Sequence, residues 1–594
     1  MNSFWKVFLA TLLAMFIGVI LFFFISIGFL SSLASFAEPT VQVANNSVLT
    51  LKLDNRIVDR KSNNPFEDMD IPVPGISSTP TTGLNQILRS IKKAKTDDHI
   101  KGIYLNLSDI GAGYATVEEI RDALKDFKTS DKFIYAYSDN ISQKAYYLAT
   151  VADSLIMNPR GMFDFRGLSA QRTFYKKAMD KFGIDMQIIR GRNNKFKSAV
   201  EPFMYEKMSE ANREQTKVYL NSIWDHLLQG ISETRNIPVD SLQAFANEVQ
   251  TFRMPQKALG EGFFDNLKYK DQVLNDLREL TGVGKDKDIP SIGPGKYDKV
   301  PEKLDGKGLA KNKIAVIYAQ GEIDPGSDGS YYIDSKKISQ TIRQARQDST
   351  IKAVVFRVNS PGGSAYGSEV IWREVELTQK VKPVVVSMGD LAASGGYYIS
   401  CAAGTILAEP TTITGSIGIF GMIPNFHDLL SNKIGITFDE VNTNTHSDMP
   451  TVSRAMTPFE HDLMQNYVEK GYELFLKRVA TGRDTTSTYI DGIGQGRVWT
   501  GENGKQIGLV DKFGGLNDAI KLAANQAGVE NYRIKELPKE KDPFEEILKS
   551  FSTAAKVKMS EYVLGDSYQT WENINRVSHM NGLYTMLPYT LEIR

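Results

Sequence analysis

A single cysteine, Cys401, stands among 594 residues, which excludes an intramolecular disulfide and with it any cross-linked small-domain scaffold. Histidine is nearly as scarce. His99, His226, His427, His446, His461 and His579 are the whole set, and none belongs to a stretch that otherwise reads as a reactive site. No His/Glu or Cys/His spacing suggests a metal centre, and no phosphate-binding loop occurs, so no cofactor is expected. Charge of one sign is also missing. The 70 basic and 70 acidic residues cancel and are scattered, which gives no footprint for a nucleic-acid partner. Low-complexity tracts are absent as well. The chain is too long for one ordinary domain, and two or three are expected.

What is present begins at the N-terminus. Val7 to Leu30 is an uninterrupted apolar run, long enough to cross a bilayer as a helix. Lys6 precedes it, and the first acids, Glu38 and Asp54, follow it. The positive-inside rule places the N-terminus in the cytoplasm and the remainder across the membrane. Small residues at Ser35-Phe36-Ala37 also fit a cleaved signal peptide, but the run exceeds a usual signal core, which favours an uncleaved anchor.

The rest of the chain is duplicated. Ile100-Lys101-Gly102 through Pro159 runs parallel to Ile351-Lys352-Ala353 through Pro410 without a gap. Short β-branched runs alternate with helical-period segments in both copies, which predicts an α/β fold with a largely parallel sheet. A strand at Ser47 to Leu53 has its counterpart at Lys313 to Ala319. Long helices are expected after Met208-Ser209 and after Thr457-Pro458, the second with Thr457 as N-cap and Glu460 as capping-box partner. Val218, Ile223, Trp224 and Leu227 in one, and Leu463, Tyr467 and Leu474 in the other, are the expected core faces. Each copy closes on Gly-x-x-Asp, at Gly262 to Asp265 and Gly508 to Asp511.

The copies differ where chemistry is possible. Ser394-Gly395-Gly396 in the second faces Gln143-Lys144-Ala145 in the first. A serine at the start of a helix, followed by glycines, meets backbone N–H groups aimed at developing negative charge; an ordinary N-cap has the same look. Asn359-Ser360-Pro361-Gly362-Gly363 follows an apolar strand, at the sheet end where open α/β folds bind ligands. Its amides suit an oxyanion hole, with Gly363 and Gly395 as donors, or simply form a turn. Ser416, in Thr414-Gly415-Ser416-Ile417-Gly418, is placed to orient a base or to satisfy backbone. Cys401 reads as a small packing residue and Lys144 as structural.

At Val358 to Ser364, Ala392 to Tyr398, Leu407 to Gly421 and Phe196 to Phe203, the chain resembles the signal peptide peptidase A family in its long, two-repeat form. The likeness, with the anchor and the duplication, spans all but the tail. It implies two tandem Clp/crotonase-like repeats after an N-terminal transmembrane helix, and a membrane-bound serine endopeptidase with a Ser–Lys dyad. Carried over by motif, Ser394 is the nucleophile and Lys197, from the other repeat, the general base. Ser416 orients the lysine, and Gly363 and Gly395 form the oxyanion hole. A lysine acts as a base only if burial or nearby positive charge lowers its pKa; Arg190, Arg192 and Lys195 are the charged neighbours in sequence.

The resemblance further implies remnant signal peptides and other apolar unfolded segments as substrates, and a homotetramer. It implies a bacterial inner membrane location with the repeats on the extracytoplasmic side. The expected organisation is anchor and spacer over 1–46, first repeat over 47–290, linker over 291–311, second repeat over 312–537, and a tail of unassigned role over 538–594. Two other readings share parts of the pattern: a crotonase-type acyl-CoA enzyme, and a non-catalytic membrane scaffold.

Overall fold

The structure is a computed structural model that describes residues 3–36, 41–62, 80–191, 193–301, 310–325, 332–539 and 583–586. The opening helix, Ser3–Phe36, contains the stretch Val7–Ile25, apolar and long enough to span a membrane. It continues into the expected spacer as far as Phe36, since Ser31-Ser32-Leu33-Ala34 offers no helix breaker.

Two parallel sheets carry the duplication. The first runs Asn266–Leu267, Ser154–Phe163, Phe133–Ile141, Ile100–Asn106, Ser47–Leu51, Ser291–Ile292. The second has Ile413–Gly415, Val384–Ala393, Ile351–Ser360, Lys313–Gln320 and Arg533–Leu537 side by side and parallel, with Val498–Thr500 antiparallel at one edge. The central strands are near-continuous apolar runs because helices or the other repeat cover both faces. Ile351–Ser360, for example, buries Ala353, Val354, Val355, Phe356 and Val358.

Matching ties confirm that the copies share one design. Asp265 and Asp511, each closing a Gly-x-x-Asp, accept from the amides of Leu155 and Ile406 at 2.7 Å in both cases. The hydroxyls of Tyr146 and Tyr397 each donate, at 2.9 Å, to a carbonyl in the same motif, those of Phe263 and Leu509.

The structure refines these expectations. The stretch expected as linker opens with Ser291–Ile292, which pairs with Ser47–Leu51, and with the helix Pro294–Asp298. Buried Ile292 and Tyr297 thus add to the first core, and the inter-repeat connection begins later. The strand Val384–Ala393 runs directly into Ser394. Helix Pro458–Gly482 has the expected Thr457–Glu460 capping box, but Leu463, Tyr467 and Leu474 lie on its outer face. Its core face is Val468, Tyr472, Phe475, Leu476 and Val479; two apolar stripes share the helix, and periodicity alone did not choose between them. In the tail, Leu583–Met586 forms a strand, while 540–582 lies outside the described residues.

The repeats are fused rather than strung. Leu49, Leu105 and Ile134 of the first share one continuous apolar cluster with Val316, Val355 and Val385 of the second. Arg357, fully buried, reaches back to Asp59 at 2.8 Å and Glu119 at 2.6 Å. A third sheet crosses the boundary: Asp185–Arg190 of the first repeat pairs antiparallel with Phe420–Asn425 of the second. That crossing carries the following loop, with Lys197, into the second repeat.

Candidate active site

Ser394 stands at the junction of Val384–Ala393 and the helix Gly395–Ser400 with φ +56° and ψ −114°. A non-glycine residue in that region is strained and persists only where its surroundings dictate it. Its amide donates to the Gly415 carbonyl at 2.8 Å, which fixes the turn. Ser416 follows one residue later with φ +52°, and its amide donates to the Arg497 carbonyl at 2.6 Å.

Lys197 arrives on the loop after Asp185–Arg190. Asn194 Nδ2 donates to the Ile419 carbonyl at 2.7 Å, and the Phe196 amide to the Gln495 carbonyl at 2.9 Å. Gln215, on helix Glu210–Arg235, donates to the Phe196 carbonyl at 3.0 Å and Ser198 Oγ at 3.1 Å. Its carbonyl oxygen accepts from the Val498 amide at 3.0 Å, so one side chain joins the lysine loop to the second repeat. Gly496, at φ +81°, lies against Lys197 so closely that a Cβ there would stand 2.5 Å from the lysine Cα. Glu201 anchors the far side, accepting from Asn212 Nδ2 at 2.8 Å and from the Ser209 amide at 3.2 Å.

These ties place Lys197 Nζ 2.8 Å from Ser394 Oγ, 3.0 Å from Ser416 Oγ and 3.0 Å from the Ser416 carbonyl. All three residues are fully buried. Burial holds the lysine pKa well below its ordinary value. Burial is the cause of the shift; Lys195 is exposed over the Phe196 ring, and Arg192 lies outside the described residues.

Gly363 lies in the strand Gly362–Ser364, beside the site, with φ +154° and Ile323 so close that a Cβ would meet its carbonyl oxygen at 2.2 Å. Gly395 is the first residue after Ser394. In the first repeat, Gln143 holds the serine's place and spends its amide on Gly167, donating to the carbonyl at 2.9 Å and accepting from the amide at 3.2 Å. Lys144 beside it donates to the Ala112 carbonyl at 2.7 Å. Cys401 packs inside with its thiol pKa pushed up to about 12 by burial. The histidines sit elsewhere: His99 with Asp97, His226 near Glu118, His427 at the Ser453 carbonyl, His446 on Phe459 and His461 near Asp462; His579 is outside the described residues. Sequence reasoning did not single out Gln215, Asn194 or Gly496. The Gly494-Gln495-Gly496 string was a visible signal for the last; nothing marked Gln215 among the polar residues of its helix.

The family model of Peptidase family S49 matches residues 126–284 and again 376–530, one match in each repeat. The chain belongs to peptidase family S49. It is a serine peptidase, and the acyl-CoA and scaffold readings give way. Among S49 relatives, Protease 4 of Haemophilus influenzae is 34% identical over 83% of this chain and 81% of its own length. The chloroplastic serine protease SPPA of Arabidopsis thaliana is 32% identical over 83% of this chain and 71% of its own. Among solved structures, a ClpP1 variant from Listeria monocytogenes matches at 14% identity, covering 34% of this chain and 94% of that one, with a TM-score of 0.23. The fold of this S49 peptidase is two tandem α/β repeats, each built on a largely parallel sheet, behind one apolar N-terminal helix.

Proposed function

We propose that the protein is a membrane-anchored endopeptidase working through a Ser394–Lys197 dyad divided between its repeats. The observation that carries this reading is the 2.8 Å approach of a buried amine to a strained serine. A neutral amine has two N–H groups and one lone pair. With the Ser416 hydroxyl and carbonyl taking the two N–H groups, the lone pair faces Ser394 Oγ and accepts its proton. Oγ then attacks the scissile carbonyl, and the tetrahedral oxyanion is held by the amides of Gly363 and Gly395. Lys197 passes its proton to the leaving amine, and collapse leaves an acyl-serine. Water, deprotonated by the same amine, releases the acid and restores Ser394.

The N-terminal helix supports anchoring in a bacterial inner membrane, and Lys6 supports an N-terminus inside with the repeats on the extracytoplasmic face. A site tethered there suits peptides left at or near the bilayer: remnant signal peptides and other apolar unfolded segments. Assembly as a homotetramer completes this reading. The test is peptide hydrolysis and fluorophosphonate labelling by the full-length protein, Ser394→Ala and Lys197→Ala. Both variants lose hydrolysis by at least about a thousandfold while staying folded. Retained turnover in Lys197→Ala assigns the base elsewhere.

A further inference from the structure

The tail that no motif explains enters the site. Leu583–Met586 lies as a strand between two strands that border Ser394 and Lys197. It pairs antiparallel with Gly362–Ser364, Gly362 opposite Met586, Gly363 opposite Thr585 and Ser364 opposite Tyr584. On its other edge it pairs antiparallel with Phe420–Asn425, Phe420 opposite Tyr584 and Gly421 opposite Leu583. The third sheet is continuous at this point only through the tail. With the tail removed, the strands on either side stand roughly 9.6 Å apart, two inter-strand spacings, and leave a slot one strand wide.

Such a slot is how an extended peptide is captured: main-chain hydrogen bonds on both edges, with side chains alternating above and below. The residue opposite Thr585 is Gly363, whose amide the proposed mechanism directs at the oxyanion. A peptide presented for cleavage and the tail therefore claim the same backbone groups. The tail's own sequence suits the slot. Leu583-Tyr584-Thr585-Met586 is uncharged and rich in β-formers, with Gly582 before it and Pro588 just after.

We infer that the C-terminal segment Leu583–Met586 occupies the substrate position as a built-in competitor, and that the slot takes extended, uncharged, apolar-aromatic peptides of the same character. The inference rests on the Ser394–Lys197 reading for where substrate lies. A tethered occupant acts at an effective concentration in the millimolar range, so an external peptide binds only by displacing it. Relief comes when the tail withdraws.

The test compares full-length protein, a variant ending at Asn581, and full-length Thr585→Pro, in which a ladder N–H is lost without shortening the chain. Removing or breaking the strand lowers KM for an uncharged peptide by about tenfold or more, with little change in kcat, and speeds fluorophosphonate labelling to match. Binding is read separately in a Ser394→Ala background, with a fluorescent synthetic peptide covering residues 580–589. That peptide binds the form ending at Asn581 and binds the form with an intact tail at least tenfold more weakly. Equal KM and labelling in all three proteins, or equal peptide affinity with and without the tail, overturns the inference. If Lys197→Ala stays active, the dyad reading fails instead, and the peptide-binding comparison still decides whether the tail fills the slot.

Discussion

Lys197 Nζ lies 2.8 Å from Ser394 Oγ, although the two residues come from different repeats and no strand or helix joins them. The distance is set by the clamps on the lysine loop and by the turn at Ser394, each of which spans a repeat boundary or a sheet end. Three consequences concern this pair and one the frame that holds it.

On the proposed dyad, the working form of Lys197 is the neutral amine, and burial lowers its pKa. Protonation at low pH removes the base, so kcat/KM rises with pH through one ionisation placed below the ordinary lysine range, then levels. A pH–rate profile checks this. A flat profile from about pH 6 to 10 counts against the dyad.

The same burial costs stability. A lysine whose folded pKa is depressed leaves the unfolded chain binding more protons between the folded value and the ordinary one, so its contribution to stability improves as pH rises through that window. Lys197→Met, similar in reach and without the amine, raises Tm at neutral pH. The gain narrows as pH approaches about 10.4, the unfolded lysine value. Thermal unfolding at neutral and alkaline pH measures it.

Gln215 and Gly496 act only through position. Gln215→Ala removes one of the ties that hold the lysine loop to the second repeat, and Gly496→Ala pushes a methyl into the Lys197 backbone. Each lowers kcat by about a hundredfold, the scale of an ångström's misplacement. The working check is that kcat falls more than KM changes.

Arg357→Ala strands the carboxylates of Asp59 and Glu119 inside the inter-repeat core. Breaking one partner of a buried ionic cluster costs about 3–5 kcal/mol, and none of the partners of Arg357 is Ser394, Lys197 or Ser416. Denaturant unfolding measures the loss, and fluorophosphonate labelling of the still-folded fraction stays close to wild type.

Much of this was readable in the residues. The duplicated strands fell where apolar runs stood between glycines and helix caps, because parallel strands buried on both faces must be apolar throughout. Thr457, Pro458 and Glu460 announced a helix start through local chemistry, and the structure has that box. The meeting of Lys197 with Ser394 was legible only through the motifs that resemble a family, since no spacing along the chain encodes a contact made by sheet crossing. Burial as the cause of the lysine's lowered pKa was hidden for a related reason. Three basic neighbours in sequence suggested charge, whereas the fold turns Lys195 outward and Lys197 inward. The outer stripe of Leu463 and Tyr467 misled because a long helix with two apolar faces has no single inside until its neighbours are known.

The crossing of Asp185–Arg190 onto Phe420–Asn425 has a consequence for the order of synthesis. The amine-bearing half leaves the ribosome first, and its partner strand is made more than two hundred residues later. On the proposed mechanism, a nascent chain is harmless to its surroundings until nearly all of it has been translated and the late strand has closed over the early one. On that mechanism, silence during synthesis follows from the order in which the two strands are made.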